Sequence, residues 1–306
     1  MSGSLLTHPR AWTPYGELNE VLAALLAALR DELGDNLVGL YLQGSFALGD
    51  FDEASDVDLI AAVREDIPKA DIERFEQMHR EIFDLPQVWA QHLELSYAPI
   101  APLRRFAPAE PQGEARPADW RDPASWRTAP FAYPFWFLGN GATHLVRSEH
   151  DNTQVVRWVL REKGVPLFGA EPDLLVDPVT PDALRSEVAE VLRAVLAQLE
   201  QDTGWMGSFT GQSFGAVWFA RILQTLIIGE VASKKSAVAF AQGLQPRWAQ
   251  LVSRGWNARQ AYPRGAGAAD LNRNRAADPA AVAETLAFGA FVGEEAARLE
   301  AARSGP

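Results

Sequence analysis

Cysteine is absent from this 306-residue chain, which excludes disulfides, thiol nucleophiles and thiolate metal sites and is compatible with a reducing compartment. Histidine is scarce, with five in all and none beyond His150. The Gly211-Gln-Ser-Phe-Gly215 segment fits the Gly-x-Ser-x-Gly elbow of hydrolases. No apolar strand precedes it and no imidazole follows it, so a hydrolase is not expected. Neither a Gly-x-x-x-x-Gly-Lys-Ser/Thr loop nor a Gly-x-Gly-x-x-Gly fingerprint occurs, which removes the common ATPase and dinucleotide readings; His-Glu-x-x-His is missing too. No run of eighteen apolar residues occurs, and Met1 to Arg10 lacks the basic start and apolar stretch of a secretion signal. A cytoplasmic protein without membrane association is expected. Basic residues are in deficit, 28 against 40 acidic, giving a formal net charge of −12. That balance argues against a partner held by nucleic-acid phosphates and suits either plain solubility or a small cationic ligand.

What the chain does contain is concentrated in Leu37 to Val63. The apolar run Leu37 to Leu42 has the length of a buried strand and breaks at Gly44-Ser45, where the backbone turns. Ten residues later Asp56-Val57-Asp58 opens a second apolar run ending at Val63. Period-2 alternation points both carboxylates to one face. Two acids so close repel each other without a cation, and Mg²⁺ takes one or two carboxylates plus substrate phosphates. The turn would hold phosphates while the acids hold metal.

The rest of the chain frames this stretch. Leu18, Val21, Leu22, Leu25, Leu26, Leu29 and Leu33 predict an amphipathic helix over 16–35, ended by Gly34. Ile72, Phe75, Met78 and Ile82 predict another over 70–84, with Asp71 and Glu73 in its first turn. Val88 to Tyr97 reads as a third strand, with His92 and Glu94 on one side. Residues 98–130, with seven prolines, read as an irregular loop, either a lid or an insertion without a role. The aromatics from Phe131 to Leu138 either pack on the sheet or line a pocket. His150 to Gly164 predicts a helix begun by an Asp/Asn cap, and 165–179 reads as an irregular exit from the domain. Helices are then predicted over 181–201, 214–229, 233–244, 246–258 and 279–303. The expected architecture is α+β: a mixed sheet flanked by helices in residues 1–178, followed by an all-helical domain in residues 179–306.

Gly44-Ser45, ten intervening residues, then Asp56-x-Asp58 between two apolar strands resembles the signature of the polymerase-β-like nucleotidyltransferase superfamily. Ala216 to Phe240, in which a helix bearing Arg221 ends in Gly229 and Ser233-Lys234 opens the next, is similar to the C-terminal domain of the streptomycin and spectinomycin adenylyltransferases. The resemblance implies AMP transfer from ATP to a hydroxyl of a small molecule. Asp56, Asp58 and Glu94 would hold two Mg²⁺, and Glu94 would also be the base that deprotonates the acceptor. Gly44 and Ser45, with Asp56 and Asp58, would bind the nucleotide, and Arg221 and Lys234 would reach the triphosphate across the domain cleft, an Arg fork and a Lys point charge on phosphate. The implied acceptor is cationic and aminoglycoside- or aminocyclitol-like, in antibiotic resistance. In that family the segment leading into the Arg helix carries acids that meet the drug, whereas here nothing between Asp202 and Glu230 is acidic. Two other readings keep the same motifs: adenylylation of a protein side chain, as in toxin-neutralising enzymes, and a non-catalytic nucleotide sensor. The acceptor residues and the oligomeric state are not specified by the sequence.

Overall fold

The computed structural model describes residues 11–52, 55–107, 135–260 and 275–304. The chain divides into two units, Met1–Pro178 and Val179–Pro306.

In the first unit, helix α1 (Gly16–Leu33) buries Leu18, Val21, Leu22, Leu25 and Leu29, an i, i+3, i+4 stripe, and ends at Gly34. Strand β1 (Leu37–Leu42) follows, then a short helix α2 (Gly44–Leu48) and strand β2 (Val57–Val63). Helix α3 (Ile72–Phe83) connects β2 to strand β3 (Leu93–Pro99), and these two strands pair in parallel, as a helical crossover requires. A five-residue helix α4 (Ile100–Arg104) comes next. Strands β4 (Phe135–Leu138) and β5 (Leu145–Ser148), helix α5 (Gln154–Lys163) and strand β6 (Val165–Phe168) complete the unit. The sheet order is β5-β4-β3-β2-β1-β6, with every pair but β2/β3 antiparallel.

Both faces of the sheet are covered, which is why β1 and β2 read as continuous apolar runs. On β2, Val57, Leu59, Ala61 and Val63 enter the core under α1 and α3, while Ile60 and Ala62 enter a second core with Tyr41, Ala98, Phe135 and Leu160 of α5. Two buried polar groups lock α3 in place. Glu76 accepts a hydrogen bond from the Leu145 amide at 3.0 Å, and His79 Nε2 lies 2.7 Å from the Tyr97 hydroxyl.

In the second unit, helices α6 (Pro181–Gln201), α8 (Lys234–Ala241), α9 (Pro246–Gln260) and α10 (Pro279–Ser304) pack around α7 (Phe209–Ile228). α7 buries residues on every side, from Gln212 and Ser213 to Thr225 and Leu226, the pattern of a central helix. Close approach by its neighbours uses glycine: a Cβ at Gly289 of α10 would stand 2.6 Å from the Phe219 ring.

Several sequence expectations change. Gly44-Ser45 is the first turn of α2 rather than an open turn. Val88–His92 forms a 3-10 turn, so β3 begins at Leu93 and His92 is not a strand residue. Part of the proline-rich stretch is ordered as the end of β3 and as α4, because Pro99 and Pro102 sit where a strand ends and a helix begins; residues 108–130 lie outside the described residues, as do 131–134 and 261–274. Val165–Phe168 is an edge strand and not an irregular exit. α7 starts at Phe209, since Ser208 caps it by accepting from the Gly211 amide at 3.0 Å. Gly211 to Gly215 is therefore helical, without the strand-to-helix corner of a nucleophile elbow. Finally, α5 is capped by Thr153, which accepts from the Val156 amide at 3.0 Å, and the preceding Asp151 and Asn152 are buried for another purpose.

Candidate active site

β1 ends where β2 and β3 begin, so three chain segments meet on one rim of the sheet. Leu42 pairs with Leu59, and the Gln43 amide donates to the Asp58 carbonyl at 2.9 Å. Asp58 is in turn the direct partner of Glu94 across the parallel β2/β3 pair. By alternation both carboxylates share the face of Ile60, Ser96 and Ala98, the face covered by α5. Asp58 and Glu94 are half-buried; Asp56 is exposed, two residues ahead at the entrance to the strand. Just before it, the Ser55 amide donates to the Asp52 carbonyl at 2.9 Å.

Gly44 sits directly against Asp58. Its φ is +59°, and an added Cβ would collide with the Asp58 carboxylate. The glycine of the Gly-Ser motif is thus what lets backbone and carboxylate approach. On the opposite side α2 is anchored by Phe46, which stacks on Phe51 at 4.7 Å and meets Trp89 edge-on at 6.0 Å. Ser45 is half-buried beside Gly44 at the start of α2.

The structure brings Gly44, Ser45, Asp58 and Glu94 together. Among the described residues no cluster of three or more carboxylates or imidazoles forms a closed metal cage, so Asp56, Asp58 and Glu94 do not make one by themselves. The donor set still fits magnesium, which needs only one or two carboxylates and takes its other oxygens from water and phosphate. Asp58 and Glu94 are hard oxygen donors on neighbouring strands, aimed to the same side.

Two groups at this rim escaped the sequence reading. His150, after β5, places Nε2 2.9 Å from Glu94 Oε1 and stacks its ring on Phe137 at 4.7 Å. Dehydration of the ring opposes its charge, but the Glu94 hydrogen bond and the pull of Asp151, Glu94 and Asp58 outweigh it, raising the His150 pKa to about 9. At neutral pH an imidazolium therefore faces the acids. Asp151, 2 % exposed, accepts from Ser96 Oγ at 2.6 Å and from Gln43 Nε2 at 3.1 Å. Burial pushes its carboxyl pKa up, opposed by the His150 charge and the Ser96 bond. The available signal was three polar residues in a row, His150-Asp151-Asn152, between a strand and a helix capped by Thr153.

In the second unit Arg221 lies on α7, with Nε donating to the Ala232 carbonyl at 2.9 Å. Lys234 is the first residue of α8, whose cap Ser233 accepts from the Ser236 amide at 3.0 Å. One main-chain carbonyl thus ties Arg221 to the connection that leads into Lys234.

Comparison with known proteins agrees with this architecture. Residues 22–106 match the model of the nucleotidyltransferase domain family. No curated protein matches the sequence. Among solved structures, the chain is similar to spectinomycin adenyltransferase AAD(9) from Enterococcus faecialis, solved with ATP and spectinomycin. The TM-score is 0.57 at 14 % identity, covering 91 % of this chain and 98 % of that one. Residues 22–106, which include β1, β2, β3 and the rim motifs, thus match the nucleotidyltransferase domain, and the chain as a whole has a fold similar to that of AAD(9).

Proposed function

We propose that the chain transfers AMP from ATP to a hydroxyl of a small cationic acceptor of the aminoglycoside or aminocyclitol kind. The observation that carries this reading is the register pairing of Asp58 with Glu94 directly beside Gly44. The first unit holds the chemistry. Gly44 and Ser45 bind the phosphates through backbone and hydroxyl donors at the start of α2. Glu94, with Oε1 turned to His150, uses its second oxygen to take the proton of the acceptor hydroxyl. The oxygen so freed attacks the α-phosphorus, and pyrophosphate leaves. Asp58 and Glu94, with Asp56 at the entrance to β2, would hold magnesium, which would supply positive charge against the phosphate oxygens. Arg221 and Lys234 are assigned to the phosphates by family resemblance and by their chemistry. The AAD(9) likeness, in a structure with spectinomycin, supports the acceptor class.

Pyrophosphate release from MgATP is the test, read against spectinomycin, streptomycin and a panel of other amino-alcohols. Release that depends on one acceptor, with AMP found on that acceptor, is the expected result. ATP binding without release from any of them favours the sensor, and AMP on protein favours side-chain adenylylation.

A further inference from the structure

Asp151 has no part in the reaction just described, yet its carboxylate bridges side chains of two segments that are not neighbours in the sheet. Gln43 follows β1 and Ser96 lies on β3, and β2 runs between them. Gln43 is the residue before Gly44; Ser96 is two residues beyond Glu94, on the same face. Each oxygen of Asp151 takes one of these donors, Oδ1 from Gln43 and Oδ2 from Ser96. We propose that Asp151 is a positioning residue that sets the spacing between the Gly44-Ser45 turn and the Glu94 carboxylate, on the nucleotidyltransferase reading above.

Packing alone does not call for a carboxylate at this place. The same face is otherwise filled by Tyr41, Ile60, Ala62, Ala98 and Leu160. Replacing a whole buried polar cluster by apolar groups of similar volume is often neutral or stabilising, whereas removing Asp151 alone would leave the buried Gln43 and Ser96 donors without their acceptor. What an apolar residue would not do is fix the angle of two polar side chains on separate segments. The connection that carries Asp151 is itself held rigid on both sides. The Asn152 amide donates to the Glu149 carbonyl at 2.8 Å, and Asn152 Oδ1 accepts from the buried Arg157 at 2.7 Å. Arg157 in turn donates through Nε to the Leu103 carbonyl at 3.1 Å. Asp151 therefore stands on a hydrogen-bonded connection and meets the side chains of both segments from it.

The test uses the full chain with MgATP and whichever acceptor the wild type turns over, comparing Asp151→Asn, Ser96→Ala and the double variant. Asp151→Asn keeps the shape and removes the charge that both donors share. It is expected to lower kcat by about tenfold to a hundredfold, the scale of a misplacement near 1 Å, while KM for ATP changes less than about threefold. Ser96→Ala is expected to lower kcat in the same direction, and the double variant to be no slower than Asp151→Asn, because both act through one contact. Thermal unfolding and circular dichroism give the folded fraction for each. The proposal is overturned if Asp151→Asn turns over within about twofold of wild type, if its loss equals the loss of folded protein, or if the two losses multiply. Should Asp151→Asn not fold, Ser96→Ala decides alone: a kcat loss at unchanged KM supports the proposal and a normal kcat overturns it. A wild type that binds ATP but transfers AMP to nothing overturns the adenylyltransferase reading and this proposal with it, whereas an active wild type beside an unaffected Asp151→Asn overturns this proposal only.

Discussion

Gly44→Ala is the most direct probe of the rim, and Gly49→Ala is its built-in control. Gly44 opens α2 and Gly49 follows it, with positive φ of +59° and +68°. A Cβ at Gly49 meets nothing within 4 Å, whereas one at Gly44 would stand 2.6 Å from Asp58 Cγ and 3.0 Å from Asp58 Cβ. Backbone strain alone costs about 1–2 kcal/mol for an alanine held left-handed, and both variants carry it. Ordinary carbon contacts lie near 3.5–4.0 Å, so the Asp58 carboxylate must retreat by roughly 1 Å in Gly44→Ala. Displacement of a catalytic group on that scale costs up to about a hundredfold in rate, equivalent to about 2.7 kcal/mol of barrier. Urea unfolding should show Gly49→Ala destabilised by about 1–2 kcal/mol with normal turnover. Gly44→Ala should lose at least as much stability and most of its turnover at saturating ATP. Equal stabilities and equal turnover in the two variants would mean that Asp58 does not depend on the missing side chain at 44, and the site as drawn here would be wrong.

Asp58→Asn should abolish AMP transfer while shifting the melting temperature by only a few degrees, as measured by pyrophosphate release and circular dichroism. Glu94→Gln should still bind MgATP in calorimetry but lose rate; loss of binding as well would make Glu94 chiefly a metal ligand. His79 gives a pH signature in stability. Burial lowers its pKa from 6.5 to about 4, against the pull of Glu76. The unfolded chain therefore takes up this proton first, and stability present above pH 6.5 is lost as pH falls toward 4, by roughly 3 kcal/mol. Urea unfolding at pH 7 and pH 4.5 should show a smaller drop in His79→Gln than in wild type. Gly289→Ala forces a methyl into the Phe219 ring and should destabilise the second unit by about 1–3 kcal/mol, with no change in the first. Proteolysis or hydrogen exchange resolved by unit checks it.

The sequence carried most of the rim because its signals were local. An apolar run stopped by Gly44-Ser45 and another preceded by Asp56-Val57-Asp58 become β1 and β2 at the expected residues, and Glu94 lies on the next strand. What was illegible was long-range. His150 and Asp151 sit 56 and 55 residues beyond their partners Glu94 and Ser96, and nothing in their own neighbourhood differs from an ordinary helix cap. Val165–Phe168 is illegible for a similar reason: four residues holding Pro166 show no period, and only pairing along the edge of β1 makes them a strand. The helix expected over 214–229 begins at Phe209, because burial in the bundle outweighs the weak helix propensity of Gly211 and Gly215.

The register that makes the site is set by the polar residues themselves. Around β2 both sheet faces are apolar, so Leu59, Ile60, Ala61, Ala62 and Val63 would be buried in either phase. A slip of one residue between β2 and β3 would cost the aliphatic side chains little. It would, however, turn Asp58, or Glu94 and Ser96, away from the rim face and into the core under α1, where Leu18, Leu22 and Leu25 are fully buried. A carboxylate stranded there without a partner costs several kcal/mol, far more than the misplaced methyl groups. In the observed register Glu94 meets His150, Ser96 meets Asp151, and Asp58 lies against Gly44. The acids read as chemistry in the sequence are thus also what selects the strand alignment that pairs them. Their removal is expected to loosen β2/β3 alignment at the rim before it disturbs the core.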